Sequence, residues 1–520
     1  MTAPWANPEL LRNARIQLRP GRAIAAAIIC AAISLTAWSY SAYSNSYEFL
    51  TGGSDGLFKL TLGLQVIILL IGGGIACLQS VHREKELNTF DYQRVTRLTS
   101  LELVIGKLFG APIIAYFVVL CLMPLAIFAA ILGHVSALPF LQAYIILLLG
   151  CVAYHALALL VSMMLGRGGS AMVIFLFLIL IAITSSDTGG EYSNWQIHQL
   201  SPFAVTSVAM WGQQEVRWHD TLFGWTVPHF TVLVVLYVTF ATWFLLGITR
   251  NLKRDPAVYE VYSPVQAFCF ALYLSFLLLG FFHWAPPAPP RALFGFNLKG
   301  YSSPALVEIE QSLLFDSAWI FFALGMLLLR NRERVRRRVR AMGESAAGWW
   351  GGVWPAPYVF GGIILTGLGI VELIRIYRQP GEEWNIASAL FEVAFCAVWI
   401  ARDVLYLQWM NLRRTRRPLI AGFLFLIIFY VCGGILFTSA AKMMSERSIA
   451  LSSLVIPSQL LPRIVSLWPS NQGLLIGILA GLAVEALAFA FLQRQKLREF
   501  ITPPVVAPVV TPRKPSLMTR

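Results

Sequence analysis

Residues 82–91 read HREKELNTFD and residues 99–107 read TSLELVIGK. The chain is almost purely apolar over residues 62–81 before them and 108–132 after them. Charged side chains are costly inside a bilayer, so residues 82–107, here called the charged segment, are expected to lie at one membrane face. A solvated loop that only holds positive charge is the simpler interpretation, but four acids accompany the five bases. That mixture favours a docking surface for another protein.

The composition is that of a polytopic membrane protein. Of the 520 residues, 57% are hydrophobic and 13% are charged, whereas about 25% of the residues in soluble proteins are charged. Apolar runs that approach the length of a membrane helix, about 20 residues, recur along the chain. We predict an all-α fold with about twelve transmembrane helices. They are 23–43, 60–81, 109–132, 139–165, 170–184, 229–249, 265–284, 310–329, 357–376, 388–409, 418–438 and 473–492.

The basic residues follow the positive-inside rule. With the N-terminus in the cytoplasm, 30 of the 40 lysine and arginine residues fall in segments predicted to face the cytoplasm. Both termini are therefore expected to be cytoplasmic. The net charge of +14 reflects this topology, and no basic surface with interleaved aromatic residues indicates a nucleic-acid partner. The first apolar run is too long for a signal-peptide core and is expected to remain as a span.

The two halves of the chain have a similar layout. Each has a basic lead, a charged cytoplasmic segment after its second span and a long external segment before its sixth. This spacing predicts two six-helix pseudo-repeats, an arrangement common in transporters, and short helices within the external segments 185–228 and 439–472. The predicted domains are an interfacial amphipathic helix at 1–22, a first six-span domain at 23–249, a cytoplasmic linker at 250–264, a second six-span domain at 265–492 and a disordered cytoplasmic tail at 493–520.

Local signals order the charged segment. Thr99 followed by Glu102 has the spacing of a capping box, so a helix is expected to begin there. Residues 92–98 must turn the chain before that helix, which exposes Arg94 and Arg97. The docking surface is therefore expected to protrude from the membrane face.

The charged segment resembles the coupling segment of ABC-2 type transporter permeases. That family commonly has the pattern E-x-E-x-G-T-[FL]-[DE], a short turn and the pattern S-x-x-E-[IL]-x-x-G-K. This chain departs from it with Asn88 where glycine is usual and with residues 97–99 where a proline-containing turn is usual. Residues 7–12 also resemble the start of the family, and the likeness covers roughly residues 5–250, the second half matching in layout only. The matching residues are Glu84, Glu86, Thr89, Asp91, Glu102, Gly106 and Lys107.

The resemblance implies the membrane subunit of an ATP-binding-cassette transporter, which exports a substrate across the cytoplasmic (inner) membrane. It implies that the charged segment sits in a cleft of a separate ATPase subunit, a dimer that binds ATP and Mg²⁺. The residues assigned to this coupling are the seven matches together with Arg94, Arg97 and Thr99. The chain contains no G-x-x-x-x-G-K-[ST] loop for phosphates. We therefore expect a transporter subunit without its own cofactor, and not an enzyme.

Few ionisable residues lie inside the predicted spans. Arg402 and Glu485 are each about 10–12 Å from the cytoplasmic face by helical rise, which predicts an ion pair between their helices. Asp316 and His155 are lone polar residues that are expected to be packed and hydrogen-bonded. All seven cysteines fall inside spans without the spacing of a metal site, so no metal is expected.

Two segments are expected to lie on the membrane surface. Asn7 can cap a helix whose first turn accepts Pro8, and the leucines and arginines that follow alternate as in a helix lying on lipid. Residues 330–340 are basic nearly all round if they are helical. The simpler interpretation of this run is a topology anchor on anionic lipid, and the alternative is a second, degenerate docking element.

Other functions remain open from the sequence. A lipid-modifying membrane enzyme would draw on the external residues His198, His219 and Asp220. A non-transporting assembly or sensory protein would use the same fold. A twelve-span ion-coupled transporter would need embedded carboxylates that face a central cavity. Its candidates are Asp316, Glu392, Asp403 and Glu485.

Overall fold

The computed structural model describes residues 7–43, 56–87, 89, 97–164, 219–223, 225–254, 260–281, 306–329, 332–342, 354–377, 384–413, 418–441 and 464–501. Nearly all of these residues are helical. They belong to two compact units, Met1–Ser263 with Leu278–Ala288 and Pro264–Leu277 with Pro289–Arg520. Among the sequence predictions, the span 170–184 and the coupling residues Asp91 and Arg94 lie outside the described residues.

The first unit is built from long apolar helices that follow a short polar one. The side chain of Asn7 accepts hydrogen bonds from the backbone N–H groups of Glu9 and Leu10, and Pro8 occupies the first turn, so the predicted cap is confirmed. The helices are α1 (Pro8–Gln17), α2 (Pro20–Tyr43), α3 (Gly56–Val66), α4 (Gly73–Glu86), α5 (Ser100–Gly110), α6 (Ile113–Leu132), α7 (Ala137–Met164) and α8 (His229–Asn251). Helix α9 (Pro264–Phe281) follows, and its residues up to Leu277 belong to the second unit.

The second unit is organised around one buried helix. This helix, α13 (Ile386–Asn411), carries Glu392, Arg402 and Asp403, and most of its residues are buried. Four further apolar helices of the unit pack against it. The helices of this unit after α9 are α10 (Leu306–Leu328), α11 (Arg332–Met342), α12 (Ala356–Tyr377), α13 (Ile386–Asn411), α14 (Pro418–Ala441) and α15 (Ile464–Ile501).

Eight helices in the described part of the chain are long and apolar enough to cross a membrane. The chain is therefore a helical multi-pass membrane protein. Each of the eight overlaps one predicted span. They are Pro20–Ala37, Leu57–Glu86, Ile113–Leu132, Ala137–Met163, His229–Asn251, Glu310–Leu328, Ala356–Ile376 and Asn471–Phe500.

Three further predicted spans coincide with helices that do not meet this measure. The spans 265–284 and 418–438 correspond to the shorter apolar stretches Pro264–Gly280 and Ala421–Cys432. The span 388–409 is helical over the length of α13, but its three charged residues lower its hydropathy. Because these charges are buried inside the unit, α13 depends on its neighbouring helices and not on lipid to accommodate them.

Residues 219–228 form a β-hairpin within the segment 185–228, whereas the runs expected to form short helices, 200–205 and 451–457, lie outside the described residues. Strand β1 (His219–Leu222) pairs antiparallel with β2 (Trp225–Pro228). Phe223, between the strands, has a φ of 51°, and its backbone N–H donates to the carbonyl of Gly280 at 2.6 Å. A positive φ in a tight connection is typical of a hairpin. The rest of that segment lies outside the described residues.

Residues 493–501 of the predicted disordered tail are ordered as a helix. Helix α15 runs to Ile501, so residues 493–501 are helical. Leu497 and Phe500 are buried in a cluster with Val335 and Val339 of α11. The sequence prediction missed this extension because it treated the last helix as ending with its apolar span, although its last turns pack against α11.

Candidate functional site

A buried lysine organises the membrane-facing base of the charged segment. The side chain of Lys107, on α5, is 2% exposed and its Nζ lies 2.5 Å from Oε2 of Glu84 on α4. The same Nζ lies 3.7 Å from Oε1 of Glu9 on α1. The guanidinium of Arg12 closes the group, at 2.8 Å from Glu9 and 3.3 Å from Glu84. Two acids and two bases therefore neutralise one another where three helices meet.

Helix α5 begins at the predicted capping box. The backbone N–H of Glu102 donates to Oγ1 of Thr99 at 3.2 Å, and the backbone N–H of Thr99 donates to Oε2 of Glu102 at 2.9 Å. This confirms the predicted helix start. The box fixes the direction in which the chain enters the membrane after the charged segment.

Helix α1 lies against α5 through polar contacts at both of its ends. Asn7 Nδ2 donates to the carbonyl of Glu102 at 2.6 Å, and Gln17 Nε2 donates to the carbonyl of Ala111 at 2.8 Å. Between these contacts the backbones approach closely at Gly106. A Cβ atom at Gly106 would lie 2.6 Å from Cβ of Glu9, so a residue with a side chain cannot occupy this position without moving α1.

We expect Gly106→Val to loosen α1 from α5. Overpacking of this kind costs about 1–3 kcal/mol, which corresponds to roughly a tenfold or greater rise in local opening. Tryptic cleavage in α1 after Arg12 or Arg15, timed in mild detergent, measures that opening. The matched control is Gly21→Val, because nothing lies within 4 Å of a Cβ atom at Gly21. Equal cleavage rates for the two variants would contradict the close packing of α1.

Lys85 ties the start of the charged segment to a different helix. Its Nζ donates to the backbone carbonyls of Ser162 at 2.9 Å and Met163 at 2.7 Å, at the C-terminal end of α7. Cations stabilise this end of a helix because they meet its unpaired carbonyl groups. The ends of α4, α5 and α7 are thus joined by charged side chains beside the charged segment.

The ten predicted coupling residues divide by position. Glu84, Gly106 and Lys107 take part in contacts within the first unit, and Thr99 and Glu102 form the capping box. Glu86, Thr89 and Arg97 are exposed, and Glu86 also lies 3.1 Å from His82. The sequence interpretation missed the roles of Glu9, Arg12 and Lys85, whose partners are distant in sequence.

His155 is packed and hydrogen-bonded, as predicted. The described helix α3 passes into α4 through a π-helical turn at Ile67–Gly72, which displaces backbone carbonyls from their usual partners. His155 Nε2 donates to one of them, the carbonyl of Leu69, at 2.9 Å. A Cβ atom at Gly73 would lie 2.4 Å from this nitrogen. The histidine therefore stabilises an irregular turn inside a membrane helix.

The predicted ion pair of Arg402 and Glu485 is present. Arg402 Nη1 donates to Glu485 Oε2 at 3.0 Å, and Arg402 Nη2 donates to Asp403 Oδ1 at 2.8 Å. The same nitrogen donates to the hydroxyl of Tyr430 at 2.7 Å. Arg402 and Asp403 are buried, whereas the side chain of Glu485 is 45% exposed. The pair joins α13 to α15 and has the character of a structural contact.

Two predictions for the second unit need correction. Asp316 is exposed on α10 instead of packed, because it projects from the same side of the helix as the exposed residues Phe315 and Trp319. Helix α11 is not basic all round. Val335 and Val339 are both 0% exposed and pack against α15, since their spacing of four residues puts them on one helix face.

Comparisons with protein-family models, with curated proteins and with solved structures give no match for this chain.

Proposed function

We propose that the chain is the permease subunit of an ATP-binding-cassette transporter. It would export a substrate across the cytoplasmic membrane, with both termini in the cytoplasm and two six-span permease domains, and a separate ATPase subunit would supply the energy. Support for the proposal comes from the likeness of the charged segment to ABC-2 coupling segments. The assignment of ATP and Mg²⁺ to the partner follows from the same likeness.

The observation that carries the proposal is the position of Lys107. Its ion pairs join the last turn of α4 to the last turn of α5 and to α1, while Glu86, Thr89 and Arg97 are exposed. A partner that binds the exposed residues would move α1, α4 and α5 together, because the ion pairs of Lys107 resist their separation. Motion of an ATPase dimer would pass into the first unit in this way, as in other transitions driven by rigid elements.

The test uses charge reversal at exposed residues. We expect the double variant Glu86→Lys, Arg97→Glu to retain the fold and to lose the ATPase partner. The reversed side chains would face like charges in the partner's cleft, and such contacts cost several kcal/mol at an interface. The tagged chain is purified from its native membrane in mild detergent. The measurement is the bound protein that carries Walker motifs together with ATP hydrolysis, and a fall of about tenfold or more is expected.

The matched control is Glu499→Lys, which reverses an exposed charge at the end of α15. This variant is expected to keep the ATPase, because Glu499 is far along the chain from the charged segment. Retention of ATPase by the Glu86→Lys, Arg97→Glu variant would refute docking at these residues. A native chain that copurifies with no ATPase under the same conditions would refute the proposed transporter class.

One observation favours the second candidate, an ion-coupled secondary transporter. Glu392 is 0% exposed and has no basic partner among the described residues that contact its oxygens. A transporter of that class needs an embedded carboxylate. Transport in proteoliposomes separates the candidates, since the proposed permease requires ATP and its partner, while the alternative requires only an ion gradient.

A further inference from the structure

Two carboxyl groups are buried together in the second unit. Glu310, near the start of α10, is 1% exposed, and Glu392, in the second turn of α13, is 0% exposed. Gln311, the residue after Glu310, donates from its Nε2 to Glu392 Oε1 at 3.2 Å, so the contact between α10 and α13 brings the two acids into one buried region. Neither acid has been assigned a role in the charged segment or in the Arg402 ion pair.

Each carboxyl group uses only one of its two oxygens. Trp384 Nε1 donates to Glu310 Oε2 at 2.7 Å, and Gln311 Nε2 donates to Glu392 Oε1 at 3.2 Å. Glu310 Oε1 and Glu392 Oε2 are buried without a hydrogen-bond partner in the described part of the chain. A buried oxygen without a partner costs free energy, and an unpaired buried charge costs more. Among the described residues, therefore, no positive species accompanies these two oxygens.

The surrounding helices do not supply that species from their described residues. At the corresponding end of α12, Glu372 and Arg375 pair with each other at 2.5 Å on the exposed side, and Ile374 faces the interior. On α15, Trp468 packs against Phe391, and the nearest acid along that helix is Glu485, which pairs with Arg402.

A proton suits these two unpartnered oxygens better than a metal ion does. Hard cations take about six to eight oxygen ligands, whereas two oxygens are open here. In the described residues no group of three or more His, Cys, Asp or Glu side chains could hold a metal ion. Two adjacent carboxylates, by contrast, readily share a single proton, because like charges at short range cannot both be retained in a buried site.

We propose that Glu310 and Glu392 form a proton-binding pair, in which one proton taken from water is retained by the two buried carboxyl groups together. The pair then carries one negative charge, which the N–H groups of Trp384 and Gln311 stabilise. Release of the proton to water would leave two buried carboxylates and would weaken the packing of α10 on α13. This inference does not depend on the proposed ATPase partner.

Infrared spectroscopy of the full chain in detergent tests the pair. The native protein at neutral pH is expected to show a protonated-carboxyl C=O band that shifts in D₂O, and Glu392→Gln is expected to lose that band. This variant should fold, because an amide keeps the size of the side chain and leaves the pair with a single negative charge. Glu310→Gln gives a second variant with the same expected loss. The matched control, Glu372→Gln, removes an exposed carboxylate and is expected to keep the band.

Two results would overturn the inference. The first is a native spectrum whose protonated-carboxyl band persists unchanged in both Glu310→Gln and Glu392→Gln. The second is a rise in the thermal stability of the native chain with Na⁺ or K⁺ at constant ionic strength that both variants lose, since this would assign the site to a metal cation.

Discussion

Lys107→Met is expected to raise amide hydrogen exchange across α5 by about a hundredfold or more. Removing one partner of a buried ion pair costs about 3–5 kcal/mol, because the other charge is left uncompensated. Here two carboxylates, Glu84 and Glu9, would face each other with only the half-exposed Arg12 as a cation. Exchange measured by mass spectrometry on peptides within residues 100–110 reports this local opening.

The control for Lys107 is Lys496→Met. Lys496 pairs with Glu499 at 2.7 Å on the surface of α15, and exposed pairs contribute about 0–1 kcal/mol. The double variant Lys107→Met, Glu84→Gln should recover part of the loss, because it removes a carboxylate together with its partner. Unchanged exchange in α5 of the single variant would show that Lys107 does not hold the three helices together.

Arg402→Leu is expected to lower the temperature of thermal inactivation by about 10 °C. The variant leaves Asp403, which is 4% exposed, without its cation, at a cost of about 3–5 kcal/mol, and each kcal/mol shifts the midpoint by roughly 2–4 °C in a domain of this size. The measurement is the fraction of protein that remains in the native gel-filtration peak after heating.

Arg375→Leu is the matched control for Arg402. Arg375 pairs with Glu372 on the exposed side of α12, so its loss should change the midpoint by no more than about 2–4 °C. Glu485→Gln should also have a small effect, since Glu485 is partly exposed and Arg402 would keep Asp403. Equal losses for Arg402→Leu and Arg375→Leu would contradict the structural role of the buried pair.

Local sequence patterns, and the depth of a residue along its membrane helix, were sufficient to predict some of these features. The capping box of Thr99 and Glu102 depends on residues three apart, and the cap at Asn7 depends on its own first turn. The pairing of Arg402 with Glu485 followed from equal depth in a membrane, where an unpaired charge is too costly to leave alone. Eight membrane helices followed from apolar length in the same way.

Features that depend on tertiary contact could not be predicted from these patterns. Lys107 and Gly106 were assigned to partner docking, but they contact Glu9 on α1, which is distant in sequence. Glu310 is the first residue of a predicted span and was not among the embedded carboxylates named from the sequence. Its burial depends on how α10 packs against α13.

One signal was present in the sequence and was not used. The valines Val335 and Val339 stand four residues apart in a run that is otherwise mostly arginine. That spacing marks an apolar stripe on a helix, and it is this stripe that packs against α15. The same stripe explains why α15 continues beyond its apolar part, since Leu497 and Phe500 lie against it.

The most direct test of the account is a contact measurement at Thr89, an exposed residue that follows the C-terminal end of α4. A photo-crosslinking amino acid is placed at Thr89 in the full chain and activated in native membranes. The account predicts a crosslinked product that contains a Walker-motif ATPase, whereas the same probe at Trp225, which is 79% exposed on the hairpin, should give none. Products without an ATPase at Thr89, or equal ATPase crosslinking at both positions, would contradict coupling through the charged segment.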